Sequence, residues 1–218
     1  MADPVKRKRS YDSPRRREQA AATRLEILEA AQRLFERDGY PGTTMAAVAA
    51  EARVALKTVY VAFETKSGVL RALWNLRLRG GREDLPMGQQ EMYREVLEEP
   101  DPERQLRLNA RNSREGKLRV GTVAEVIRSA AGLDRDIESL WERINSEYHA
   151  NQGVIVESLH GKGALKPGLE VARATDILWA INHPGTWQML VVQRGWTPEE
   201  YEQWSGDTAG SQLLATRA

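Results

Sequence analysis

The stretch TTMAAVAAEARVALKTVYVAF, residues 43–63, reads as two short apolar helices separated by three or four residues. An isolated helix below about 12 residues is marginal in water, so neither stands without a neighbour. The preceding segment supplies one. Apolar side chains fall at Leu25, Leu28, Ala31, Leu34 and Phe35, with Ile27 and Ala30 beside them, and the pattern stops at RDGY, where Gly39 ends the helix. PGTT then turns the chain, and Thr43 or Thr44 caps a second helix over Met45, Val48, Ala49 and Ala52. A third covers about residues 55–61 and ends before Phe63. Val48, Ala49, Val54 and Val59 form the shared inner face, which leaves Leu56, Lys57, Thr58, Tyr60 and Val61 toward the outside.

Composition agrees with helices throughout. The 218 residues are 41% hydrophobic and 29% charged, the range of soluble globular chains of one or two domains. Two Phe and six Tyr stand against many Ala, Leu, Glu and Arg, which favours helix over strand, so an all-α fold is expected. With no cysteine, a disulfide framework, a thiolate metal site and a Cys nucleophile are excluded, which fits a cytoplasmic protein. No apolar run of 18 residues occurs and no apolar segment follows the basic N-terminus, so neither export nor a membrane partner is expected.

Charge is distributed unevenly. Residues 1–66 carry 13 Lys and Arg against 9 Asp and Glu, while the whole chain is only +1. The excess concentrates in KRKR at 6–9 and RRR at 15–17. Such runs form a solvated tail or an arm that touches phosphate, and the two readings are compatible.

The chain divides in three on this reading. Residues 1–20 are a flexible basic arm, with order beginning near Ala22; residues 21–66 form the three-helix unit; residues 67–218 form a larger helical domain. A fourth helix runs from Ser67 to about Arg79 and bridges the two parts. A polar, proline-punctuated segment around 82–103 holds a loop and one short helix. Helices then cover about 102–114, 117–131 and 133–160. After GKGALKPG a helix is interrupted at His183, Pro184 and Gly185, and a last one starts with Thr197 as cap and Pro198 in its first turn.

Two short helices joined by a tight turn and backed by a third match the helix-turn-helix, whose second helix enters the DNA major groove. The segment from residue 24 to 70 resembles the N-terminal domain of TetR-type transcriptional regulators. The resemblance rests on Ala30-Ala31, Leu34-Phe35, Gly39-Tyr40, Thr43-Thr44, Thr58-Val59-Tyr60, Phe63 and Thr65-Lys66. It implies phosphate contacts from Thr43 or Thr44, Tyr60 and Lys66, and base reading by Leu56, Lys57, Thr58 and Val61. Two departures stand out: Arg53 where the family usually has Gly in the turn, and Ala55 where it usually has a Ser cap. Each costs about 1 kcal/mol, and Arg53 and Lys57 add cations that offset the loss on DNA.

The same resemblance implies a homodimer on a palindromic operator of double-stranded DNA, most simply as a repressor released by a small-molecule effector. The dimer face is expected from about 171–181 and 201–214. Trp74, Trp141, Tyr148, Trp179 and Trp187 are the candidates for an effector pocket, although at helical spacing such residues also serve as ordinary core. A regulator without an effector remains open. An all-α enzyme is disfavoured, since no phosphate loop, nucleophile elbow or metal-spaced His and carboxylate set is present. ESLH at 157–160 has the E-x-x-H spacing of di-iron helices in a single copy only, so neither metal nor cofactor is expected.

Overall fold

The computed structural model describes residues 14–79 and 91–216. Among them the architecture is all-α; the sole strand-like pairing is an isolated antiparallel bridge between Leu165 and Leu214. The helices are α1 (Pro14–Gly42), α2 (Met45–Glu51), α3 (Leu56–Phe63), α4 (Lys66–Arg79), α5 (Glu91–Glu98), α6 (Pro102–Ala130), α7 (Arg135–Gly161), α8 (Val171–Asn182), α9 (Pro184–Trp187) and α10 (Pro198–Leu213). A 3₁₀ turn, Ala131–Leu133, joins α6 to α7, and a π-helical segment, Gln188–Gln193, follows α9. The chain forms two compact units, Met1–Val69 and Leu70–Ala218.

In the first unit, α1 buries Ile27, Leu28, Ala30, Ala31, Leu34 and Phe35, while Leu25 stays 43% exposed. Met45, Val48 and Ala49 of α2 and Val59 and Phe63 of α3 supply the rest of a core built from small residues. Regular geometry in α1 stops at Gly39, whose φ of 69° and ψ of 175° suit a residue without Cβ. Order does not begin near Ala22 as the sequence suggested. The helix starts at Pro14, because Arg15–Ala22 are exposed but good helix formers and Pro is tolerated in a first turn. Arg15, Arg16 and Arg17 are therefore helical, whereas the basic run at 6–9 lies outside the described residues. α3 likewise continues through Phe63 rather than ending before it.

In the second unit, Val96, Leu106, Ile155, Val156, Leu159, Ala174, Leu178, Ile181, Ala209 and Leu213 form one core between α5, α6, α7, α8 and α10. α6 is a single helix, not two. Gly116 sits in its interior without breaking it, and Asp101 caps its start by accepting from Arg104 N–H at 2.9 Å. α6 and α10 approach closely at Gly206, where a Cβ would meet Ala110 Cβ at 3.6 Å. Arg114 of α6 adds ion pairs to Glu199 at 3.0 Å and Glu202 at 2.6 Å. Thr197 and Glu200 form the reciprocal capping box of α10. In the segments expected to form a dimer face, Leu178, Tyr201 and Leu213 are fully buried in the chain's own core, while Trp179 and Trp204 are half-buried.

Candidate functional site

The three-helix unit presents α3 outward. Val59 and Phe63 face the core, and Leu56, Tyr60 and Val61 are 41%, 48% and 76% exposed, with Lys57 exposed beside them. Positions 56, 57, 60 and 61 lie on one side of a helix, so these four side chains share a face. Thr58 is half-buried. Three large apolar groups and a cation on the surface of an eight-residue helix are poor solvation and good complementarity for groove edges that carry methyls and acceptors.

The turn before α3 holds Arg53 at φ 56°, the left-handed region that the Gly-to-Arg departure anticipates. Arg53 is exposed, two residues before the N-cap of α3. Ala55 is the N-cap and makes no side-chain capping bond. At the other end of α3, Glu64 has φ 62° and ψ −51°, and Thr65 N–H donates to Phe63 O at 2.6 Å, a strained γ-turn. Gly68 answers this turn: a Cβ there would lie 2.2 Å from Phe63 O.

The structure divides the proposed phosphate contacts. Thr44 is exposed and its Oγ1 accepts from Ala47 N–H at 3.1 Å as the cap of α2. Thr43 is 1% exposed and its hydroxyl donates to Gly39 O at 2.8 Å, so it holds the turn and does not face a partner. Lys66 also points inward. Its Nζ donates to Tyr40 O at 2.7 Å and Thr43 O at 3.0 Å and lies 4.1 Å from the Tyr40 ring centroid. Both inward contacts have one cause, the carbonyls left free where α1 ends at Gly39, which need donors. A similar role missed in the sequence belongs to Arg24, whose Nη1 donates to Ala62 O at 2.7 Å while its guanidinium lies 4.1 Å over Phe63. Arg33 pairs with Glu51 at 2.9 Å and ties α1 to α2.

Within the second unit a cavity of about 160 Å³ opens between α4, α6, α7 and the α9 region. Trp74, Trp141, Tyr148 and Trp187 line it, as the aromatic reading expected. Trp179 does not. It lies one position beyond the buried Leu178 on α8 and packs edge-on against His149 at 5.9 Å and His183 at 4.8 Å. The polar part of the wall includes Asn109, Ser113, Lys117, Asn145 and Gln152, with Arg119, Glu125, Arg128 and Glu147 as further charged lining. Gln152 Oε1 accepts from Asn109 Nδ2 at 3.1 Å and Asn182 Nδ2 at 3.2 Å. Tyr148 donates its hydroxyl to Asn182 O at 2.8 Å, leaving its oxygen to accept from Ser113 Oγ at 3.1 Å.

Lys117 is the residue that sequence reasoning missed. It is 7% exposed, and burial pulls its ammonium down to about 7. Burial also pushes the Tyr148 and Tyr93 hydroxyls up to about 12 and lowers His183, which Lys117 lowers further. In REGKLRV, at 114–120, Lys117 looks like any solvated lysine, and only the convergence of α7 and α10 on α6 encloses it.

Residues 27–73 match the family profile of bacterial regulatory proteins, tetR family. Residues 27–73 are similar to the TetR-type N-terminal domain. The TetR-type domain thus coincides with the helices that present α3. Whole-chain structural similarity extends further: NalD of Pseudomonas aeruginosa, the secondary repressor of the MexAB-OprM multidrug efflux pump, is 21% identical over 90% of this chain and 98% of its own, with a TM-score of 0.67. A TetR transcription regulator from Haloarcula marismortui gives 17% identity, coverage of 89% and 100%, and a TM-score of 0.66. The SmeT–triclosan complex gives 19% identity, coverage of 89% and 92%, and a TM-score of 0.68. Similarity at these identities carries the fold, an N-terminal helix-turn-helix unit with a helical C-terminal domain. No match among curated proteins was found. Among the described residues no helix is long and apolar enough to cross a membrane.

Proposed function

We propose that the chain is a dimeric DNA-binding transcriptional regulator of the TetR type, a repressor that a small-molecule effector releases from a palindromic operator. The observation that carries the reading is the outward face of α3, where Leu56, Lys57, Tyr60 and Val61 stand on a small rigid core with Arg53 at its entrance. In this reading Lys57 donates to guanine O6 or N7, Leu56 and Val61 meet thymine methyls, and Thr58 contributes from the half-buried edge. Thr44 and Tyr60 meet phosphate and set the register. Thr43 and Lys66, busy inside the domain, shape the surface without touching DNA.

The second unit supports the effector half of the proposal. Its cavity combines aromatic walls with a few polar groups, the usual makeup of a small-molecule site. The likeness to NalD, a repressor, and to SmeT, seen with triclosan, points the same way. Trp74 of α4 lines the cavity, and α4 begins at Lys66, which holds the turn before α2. An effector that binds two positions of α4 unequally shifts the balance between them, which is what release requires. The dimer is supported by apolar surface late in the chain, where Met189 and Val192 are 53% and 59% exposed and Trp204 is half-buried.

The test is titration of the purified protein against the DNA flanking its own gene across a salt series, with Tyr60→Ala and Lys57→Ala as variants. Saturable binding with a steep salt slope, weakened by both substitutions, is expected. Binding that both variants leave unchanged refutes the α3 reading.

A further inference from the structure

Lys117 occupies the middle of α6 on the cavity wall, 7% exposed. Among the described residues its one hydrogen bond goes to Ser113 Oγ, a turn back on the same helix. Its Nζ lies 5.2 Å from the Tyr201 ring centroid and 5.8 Å from that of Tyr148. An ammonium has three donors, and among the described residues no carboxylate oxygen comes within 4.0 Å of this one. The carboxylates of the cavity rim are engaged elsewhere: Glu125 grips Arg128 at 2.7 Å and Glu147 faces Arg143 at 3.8 Å. A buried charge without a counter-ion is the arrangement folded proteins avoid, unless a ligand completes it.

The space beside Lys117 is open. A Cβ built on Gly116 would meet nothing within 4 Å, and one on Gly121 only Trp187 Nε1 at 3.8 Å. The volume of about 160 Å³ is comparable with the engineered cavity of about 150 Å³ that holds benzene. A cage of Trp74, Trp141 and Trp187 alone would suit a cation. Lys117 within that cage reverses the preference.

We propose that the cavity takes a small aromatic carboxylate, its ring between Trp74, Trp141 and Trp187 and its carboxylate on Lys117 Nζ. This rests on the effector reading above and adds the chemical class of the ligand. Charge-assisted contact with a desolvated ammonium gives an acid a large advantage over its neutral amide of the same shape.

The experiment is calorimetric and tryptophan-fluorescence titration of the full chain with three probes of one shape, benzoate, benzamide and benzylamine. Benzoate is expected to bind at least about tenfold tighter than benzamide, and benzylamine more weakly than either. Lys117→Met is expected to remove the advantage of benzoate while leaving benzamide within about twofold. Gly116→Leu, which fills the open space, is expected to block both, and thermal melts of each variant verify that it folds. If benzamide or benzylamine matches benzoate, or Lys117→Met retains full benzoate affinity, the acid-ligand inference is overturned and the cavity stands as a ligand site of another class. If none of the three binds the parent chain at millimolar concentration, the inference fails and the effector reading loses this cavity with it.

Discussion

Replacing Lys117 with Met should make the protein more stable at neutral and mildly acidic pH, and the gain should fade as pH rises. Burial lowers the Lys117 ammonium from 10.5 in an unfolded chain to about 7 in the folded one. Below pH 7 both states hold the proton, so the native state bears the full cost of burying the charge. That cost is about 5 kcal/mol, since each pH unit between the two values is worth ~1.4 kcal/mol. Between 7 and 10.5 the unfolded chain binds more protons than the folded one, so stability rises with pH by up to ~1.4 kcal/mol per pH unit. Met keeps the length of the side chain and removes the charge, at the loss of one hydrogen bond to Ser113. The groups facing Lys117 do not mask the effect. The Tyr148 and Tyr201 hydroxyls are pushed up and stay neutral in this window, and His183 titrates below its ordinary 6.5 in both proteins. Urea unfolding at pH 6, 7, 8 and 9 reads the difference. A variant less stable than the parent at pH 6, or a difference independent of pH, would refute an uncompensated buried ammonium.

Three further outcomes follow from particular contacts. Gly116→Ala should raise stability by about 0.5–1 kcal/mol, since the new methyl meets nothing and the helix gains propensity, an effect read as a higher Tm. Lys66→Ala should lower the stability of the N-terminal unit by about 1.5–3 kcal/mol through lost charged hydrogen bonds to Tyr40 O and Thr43 O, seen as faster amide exchange in α2 and α3. Thr197→Ala should cost about 1 kcal/mol by opening the capping box of α10, and denaturant unfolding measures it.

The helical pattern of residues 25–70 was legible because its core is made by side chains at regular spacing, Ile27 to Phe35 and Val48 to Phe63. The left-handed Arg53 and the uncapped Ala55 were legible too, as departures from a known motif. The start of α1 was not, since Arg15–Ala22 bury nothing and show no stripe. Nor was the continuity of α6, because a glycine inside a helix weakens propensity without forbidding the helix when packing holds both ends. Thr43 and Thr44 look interchangeable along the chain, and only the carbonyl of Gly39 decides which of them turns inward. Trp179 misses the cavity because α8 as a whole contributes nothing to its lining. Lys66 and Lys117 carry the broadest lesson from the sequence: each reads as a surface cation, and tertiary contacts alone turn one onto backbone carbonyls and the other into a cavity.

The measurement that tests the account most directly is selection of bound sequences from a pool of randomised duplex DNA, run with the parent chain and with Lys57→Ala. The account predicts enrichment of a palindrome with half-sites about one helical turn apart, and relaxed base preference at one position of each half-site in the variant. Recovery of no common sequence by the parent chain, or of the same sequence with the same preference by Lys57→Ala, would contradict the claim that the outward face of α3 reads DNA.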